Sequence, residues 1–236
     1  VTNSVYVVIP TYNAQETVVE SIKGIKSFVP AATVIIVDDN SPDGTATKAI
    51  LEFQKNKTIK VLVRQYKQGR GSAVVAGFKE GLKDKHSQYF IEMDADLCHD
   101  PKYIPKLVEK CHKADIVIAS KYLRGSTIKG LSLKRKIISR FMNIGAKIIL
   151  RVPISDYSNG YRCYSRRAVE FICKRKLKSR GFVVLSEIAF ACYQKGFSFA
   201  EIPFDFRQVS TNSKSNFSFN EMKEAFVTLL RLRFRK

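Results

Sequence analysis

No apolar run in this chain of 236 residues approaches the ~20 consecutive residues that a helix needs to cross a bilayer. A helical membrane span is therefore not expected. The chain opens at Val1 directly in a strand-like pattern, without a basic segment followed by an apolar one, so no secretory signal is expected either. A first residue other than Met is compatible with a lost start methionine or short leader. Cysteine is sparse and unpatterned. Cys98, Cys111, Cys163, Cys173 and Cys192 are odd in number and lack the paired spacing of metal ligands. Reduced thiols of a cytosolic protein are the expectation. No internal repeat or low-complexity linker divides the sequence, which is long enough for one large domain or two small ones.

Acid is scarce in the second half. Residues 121–236 hold 25 Lys+Arg against 7 Asp+Glu, whereas residues 1–120 hold 16 against 14, so nearly all of the net +20 lies beyond residue 120. A basic face attracts phosphates, whether on nucleic acid, anionic lipid or a substrate. No nucleic-acid-binding motif accompanies it, and no nucleic-acid partner is expected.

The most informative stretch is YFIEMDADL, Tyr89–Leu97. An apolar run delivers two carboxylates, Asp94 and Asp96, separated by Ala95. On a strand end, side chains two apart point to the same side. Two crowded anions repel unless a cation lies between them, and hard oxygen ligands suit Mg2+ or Mn2+, which bridge well to phosphate. The same pair also fits an acidic turn after a strand. Two further segments, VYVVIPTYN (Val5–Asn13) and TVIIVDDNSPDG (Thr33–Gly44), are β-branched runs that end in turn and capping residues, as buried parallel strands do. Ligands of open α/β sheets sit at the carboxyl ends of the strands, so the three loops are expected to meet in one cleft.

Strands are predicted over Val5–Ile9, Thr33–Val37, Ile59–Val63, Tyr89–Met93 and Asp115–Ala119. Helices are predicted near Gln15–Phe28, Thr45–Gln54, Gly71–Lys83 and Tyr103–His112. This alternation is that of a parallel sheet with covering helices. Beyond residue 120 the pattern changes to longer basic helices and a short strand near Phe199–Pro203, read as the second half of one continuous domain.

VIPTYN, VDDNSPDG and DADL resemble the motifs of the family 2 inverting glycosyltransferases, whose α/β fold is GT-A, a Rossmann-like arrangement with a mostly parallel central sheet. KQGRGSAVVAGF (Lys67–Phe78), LKRKIISR (Leu133–Arg140), DYSNGYR (Asp156–Arg162) and RGFVVLSE (Arg180–Glu187) narrow the resemblance to the dolichyl-phosphate mannose synthases. The match is colinear over nearly the whole chain. It implies transfer of mannose from GDP-mannose to dolichyl or another polyprenyl phosphate with Mg2+ or Mn2+. It also implies peripheral work at the cytoplasmic side of a membrane, with small membrane-anchoring subunits in some members.

By the same resemblance, Pro10, Tyr12, Val37, Asp39, Asp94, Ala95, Asp96 and Arg207 line the nucleotide-sugar site. Asp94 and Asp96 hold the metal. Lys121, Arg135 and Ser139 receive the acceptor phosphate, and Asp96 and Arg135 carry the catalysis. Asp39 offers a carboxylate to the base or ribose, although Asp38 and Asp39 also suit helix capping with Asn40 and Ser41. Arg135 and Ser139 lie four apart and share a helix face, which suits a phosphate monoester but also a solvated basic surface. Asp156 and Glu187 match family positions that orient the sugar or nearby cations, or serve as structural partners. The chain departs from the family pattern in four places: Ala14 replaces a Glu, Lys121 replaces an Arg, Cys98 stands where a polar contact is found, and Arg207 precedes Ser213–Lys214 without the usual Gly. His99 is expected to be structural.

A phosphate monoester is already anionic near neutral pH, so no general base is assigned. Another sugar donor, such as UDP-glucose, and a non-catalytic basic module binding nucleic acid or membrane are the competing readings. Near the C-terminus, Phe219, Met222, Phe226, Leu229 and Leu230 recur at helical spacing ahead of Arg231, Arg233, Arg235 and Lys236. The pattern predicts either a helix lying in the membrane interface or a core-packing helix with a basic tail.

Overall fold

The computed structural model describes residues 4–179, 181, 183–209 and 219–234. Its first half alternates β1 (Val5–Thr11), α1 (Val18–Phe28), β2 (Thr33–Asp38), α2 (Thr45–Phe53), β3 (Ile59–Val63), α3 (Arg70–Leu82), β4 (Tyr89–Glu92), α4 (Ile104–Cys111) and β5 (Ile116–Ser120). The second half adds β6 (Thr127–Lys129), α5 (Leu133–Leu150), β7 (Arg162–Ser165), α6 (Arg166–Cys173), α7 (Val183–Gln194), β8 (Phe199–Pro203), β9 (Asp205–Arg207) and α8 (Phe219–Phe234). Seven strands form one sheet in the order β3-β2-β1-β4-β7-β5-β8, and β6 pairs with β9 in a small parallel ribbon.

The predicted strands are all present, with ends shifted by at most two residues, and β6, β7 and β9 are additional. β4 ends at Glu92, one residue early, so the two carboxylates lie in the loop beyond the ladder rather than on its last pleats. β7 was not predicted. It inserts antiparallel between β4 and β5, inside an otherwise parallel sheet. Its sequence, RCYS, is short and begins with a buried arginine, so neither length nor alternation marks it as a strand.

Burial follows the pleat. Val5, Val7 and Ile9 face the layer built by Val18, Ile22 and Ile25 of α1 and Ile104 and Leu107 of α4. Tyr6 and Val8 face the opposite layer, with Val74 and Phe78 of α3 and Ile188 of α7. Gly77 lets α3 lie directly on the sheet, because a Cβ there would collide with Val8. The five cysteines are free thiols, as their spacing predicts.

The C-terminal helix divides its expected face. Ala225 and Leu229 of α8 are buried, and the helix packs on α5 and α7, whereas Phe226 and Phe234 stay exposed. The core-packing reading thus accounts for Leu229. Arg235 and Lys236 lie outside the described residues.

Candidate active site

β2, β1 and β4 are adjacent and parallel, so their carboxyl ends open on one edge of the sheet. Tyr12, just past β1, is exposed and has the Lys67 ammonium 3.6 Å from its ring centroid. Pro10 is half-buried beside its partner Val37. The Val37 side chain is fully enclosed in the core, so it shapes the strand and offers no side-chain contact to a nucleotide. Ala95 is also buried, while Asp94 and Asp96 on either side of it are half-buried.

The two acids that end β2 do different work. Asp38 accepts hydrogen bonds from the Thr11 hydroxyl at 2.8 Å and the Ser41 amide at 2.8 Å, which fixes the turn. Asp39 points the other way, pairs with the Arg64 guanidinium, and accepts the Gly69 amide at 2.9 Å and the Gln68 amide at 3.2 Å. Asp39 therefore pins the start of the glycine-rich segment to the carboxyl end of β2, and its carboxylate is already engaged by Arg64.

Arg70 connects the glycine-rich segment to the Asp94–Asp96 loop. Its Nη2 donates to Asp94 Oδ1 at 2.8 Å, its Nε to the same oxygen at 3.0 Å, and its Nη1 pairs with the buried Glu92. Burial pushes the Asp94 carboxyl up, and the charge of Arg70 outweighs this, holding it below the usual carboxylate range. His99 accepts the Asp94 amide on Nδ1 at 3.0 Å, so Nε2 carries the proton toward Asn159 Oδ1 at 2.9 Å. The His99 ring is stacked on Tyr161. Burial, reinforced by Asp96, pushes the Cys98 thiol up to about 12, so it stays protonated and unsuited to a hard cation.

Among the described residues, no group of three or more His, Cys, Asp or Glu side chains converges as a ready metal cage. Mg2+ and Mn2+ at phosphate-transfer sites take one or two carboxylates and fill the rest with water and substrate phosphate oxygens. Asp94 and Asp96 fit that donor set.

Lys121 and Ser139 belong to one hydrogen-bond network. Lys121 Nζ pairs with the fully buried Asp156 at 3.1 Å and donates to Ser158 Oγ at 3.2 Å. Asn143 Nδ2 donates to Ser158 Oγ at 3.1 Å, and Tyr122 and Ser139 share a hydroxyl–hydroxyl bond of 2.6 Å. Burial, more than any neighbour, pushes the Tyr122 phenol up to about 12, so it remains protonated. Arg135, on the same α5 face as Ser139, donates to Gln208 Oε1 at 3.0 Å. Gln208 follows Arg207 of β9, which pairs with Lys129, and the next residue, Val209, hydrogen bonds the Cys98 thiol through its backbone. The Arg207–Val209 segment thus runs from the Asp94–Asp96 loop to α5. Ser213 and Lys214 lie outside the described residues. Glu187 accepts the amides of Lys178 and Ser179 at 3.0 and 2.7 Å, which makes it a loop clamp.

Arg64, Arg70, Glu92 and Asn159 were not anticipated from the sequence. Arg70 carried a usable signal. It opens α3, and a cation at a helix N-terminus is electrostatically unfavourable unless an anion holds it there.

The sequence model of Glycosyl transferase family 2 matches residues 6–173. A polyprenol monophosphomannose synthase of Mycolicibacterium smegmatis is 33% identical over 221 residues, covering 91% of this chain and 83% of that protein. An undecaprenyl-phosphate mannosyltransferase of Micrococcus luteus is 33% identical over 202 residues, covering 86% and 83%. Among solved structures, glucosyl-3-phosphoglycerate synthase of Mycobacterium tuberculosis, crystallised with Mn2+, UDP-glucose and phosphoglyceric acid, superposes with a TM-score of 0.67 at 17% identity, over 98% of this chain and 79% of that one. That likeness establishes the architecture, a GT-A glycosyltransferase fold, and the sequence matches establish the rest: this chain is an enzyme of glycosyltransferase family 2.

Proposed function

We propose that the protein transfers mannose from GDP-mannose to a polyprenyl phosphate, dolichyl phosphate among them, with inversion at the anomeric carbon. The observation that carries this reading is the meeting of an Asp94/Asp96 loop with a cationic helix, Arg135 to Ser139, through the Arg207–Val209 segment. The names of the two mannosyl-transferring relatives support the acceptor and the sugar. A sugar hydroxyl acceptor would need a base near the anomeric carbon, whereas a phosphate monoester arrives ionised. The protein then has two tasks: to orient the phosphate for in-line attack and to stabilise the departing diphosphate.

Arg135 offers a fork to the phosphate, Ser139 a hydroxyl and Lys121 a point charge held by Asp156. Asp94 and Asp96 are assigned to Mg2+ or Mn2+, which supplies Lewis-acid stabilisation of the leaving diphosphate. Tyr12, Pro10 and Arg207 are assigned to the nucleotide. Replacing Arg135 by Ala is expected to raise the KM for the lipid phosphate at least about tenfold, the loss of one charge-assisted contact, and leave the KM for the nucleotide sugar within about twofold. Equal weakening of both, or of neither, would remove Arg135 from the acceptor site.

Peripheral attachment to an anionic, cytoplasm-facing membrane surface belongs to the same proposal. No described helix is long and apolar enough to cross a membrane. The face that suits the membrane is on α5 rather than α8. Leu133, Ile137, Phe141, Ile144 and Ile148 stand out from α5, with Leu133 at 73% and Phe141 at 72% exposure, and the exposed Lys134, Arg140 and Lys147 flank them. An apolar stripe edged by cations is the pattern of an interfacial helix, here on the helix that carries Arg135 and Ser139. Ile137→Glu with Phe141→Glu should weaken co-sedimentation with phosphatidylserine-containing liposomes at least about tenfold without lowering Tm. Unchanged binding by the folded variant would place the attachment elsewhere, on α8 or on a membrane-anchoring subunit.

A further inference from the structure

Arg70 sits where a cation is disfavoured, at the first turn of α3, and three features seat it there. Glu92, 1% exposed, pairs with its Nη1 and also accepts the Tyr164 hydroxyl at 2.8 Å. Asp94 Oδ1 takes its Nε and Nη2. Gly160 leaves the space, since a Cβ at that position would collide with the guanidinium. The two anions are not equivalent. Glu92 is enclosed and has a second partner in the core, whereas Asp94 is half-open toward the donor edge.

We propose that Arg70 is a built-in counter-cation that competes with the divalent metal for Asp94, yielding that carboxylate to the metal while remaining on Glu92. The proposal rests on the reading of Asp94 and Asp96 as metal ligands. Glu92, Asp94 and Asp96 with Arg70 carry two net negative charges, which one divalent cation balances. Without Arg70 there are three, and the metal is held more tightly. Arg70 therefore keeps the affinity of the protein for metal low until the diphosphate of the donor adds its own oxygens and charge. Arg70 would thereby couple occupation of Asp94 by a metal to binding of the donor.

The test is a titration of the purified protein with Mn2+ alone, followed by the electron paramagnetic resonance signal of free Mn2+. Arg70→Gln is expected to bind Mn2+ roughly tenfold more tightly than the wild type, and Asp94→Asn more weakly. Arg70→Gln leaves Glu92 buried without its cation, so the double variant Arg70→Gln/Glu92→Gln, in which an amide pair replaces the ion pair and the net charge equals that of the wild type, is titrated beside it; it is expected to bind Mn2+ more tightly than the wild type by less than the single variant, because Asp94 no longer has a competing cation. If Asp94→Asn loses Mn2+ while both Arg70 variants bind no better than the wild type, competition is overturned and the metal site stands. If wild type, Asp94→Asn and Asp96→Asn bind Mn2+ alike, the metal reading fails and the competition fails with it.

Discussion

Replacing Asp96 by Ala is expected to lower sugar transfer about a thousandfold or more while leaving the fold intact. The two halves of this expectation come from different observations. Asp96 lies in the loop beyond β4, half-open, and the hydrogen bond its side chain accepts from the Cys98 amide at 3.0 Å is local to that loop. Truncation there uncovers no buried charge, so the stability cost stays within about 1 kcal/mol. The chemical cost is large because a diphosphate leaving group needs its developing charge neutralised. Asp94 is the less clean test, since its removal also releases Arg70. Turnover and a thermal melt measured on the same preparation check the prediction. Transfer at the wild-type rate, with the metal requirement unchanged, would remove Asp96 from the metal site.

Asp156→Ala is expected to have the largest effect on stability, about 3–5 kcal/mol near neutral pH. Asp156 is fully buried, and its carboxylate accepts Lys121 Nζ, the Ser158 hydroxyl at 3.0 Å and the Asn159 amide at 2.9 Å. Lys121 is itself 8% exposed, so the substitution strands an ammonium as well as the amides of Lys121, Ser158 and Asn159 and the Ser158 hydroxyl. Burial pushes the Asp156 carboxyl up, and the Lys121 charge with the hydrogen bonds outweighs it, so the folded-state pKa lies below the usual value. A carboxyl depressed in the folded state stabilises fully above its unfolded pKa of about 3.9, and that contribution fades as pH falls through the lower folded-state value. The gap between wild type and variant should therefore be widest at pH 7 and shrink below about pH 4, as read by denaturant unfolding at both. A gap that is small at pH 7, or that does not narrow in acid, would show that the pair does not act in this way. Because Lys121 loses its anchor, the KM for the lipid phosphate should rise in the same variant.

The parallel half of the fold was legible because its strands are buried on both faces. Continuous β-branched runs such as Val5–Ile9 and Thr33–Val37 can be read without knowing their neighbours. β7 was not legible because its place depends on pairing across distance: Arg162 sits in the sheet only because Asn159, Tyr157 and Leu185 supply carbonyls to its guanidinium. The site divides in the same way. Asp94 and Asp96 lie two apart beyond a strand and Arg135 and Ser139 four apart on a helix, spacings that also suit an acidic turn and a solvated face, and the resemblance of the motifs around them is what made them candidates. Arg64 and Arg70 were not candidates, since what gives each its role is a carboxylate 25 and 24 residues away. Val37 shows what a motif leaves out. The motif places it at the donor edge, but the pleat turns its side chain into the core against Gly77. The membrane-facing pattern was sought in the C-terminal helix, where α5 and α7 cover part of the apolar face, while the uncovered stripe lies on α5 itself.

The most direct test of the central claim is product formation by the purified protein with a short-chain polyprenyl phosphate, Mn2+ and a set of nucleotide sugars offered one at a time. The account predicts a mannosyl phospholipid from GDP-mannose, loss of product when the metal is chelated, and little or none from UDP-glucose. Equal or faster transfer from UDP-glucose would contradict the assigned donor. Transfer to a sugar hydroxyl, but not to the lipid phosphate, would contradict the assigned acceptor and the mechanism without a base.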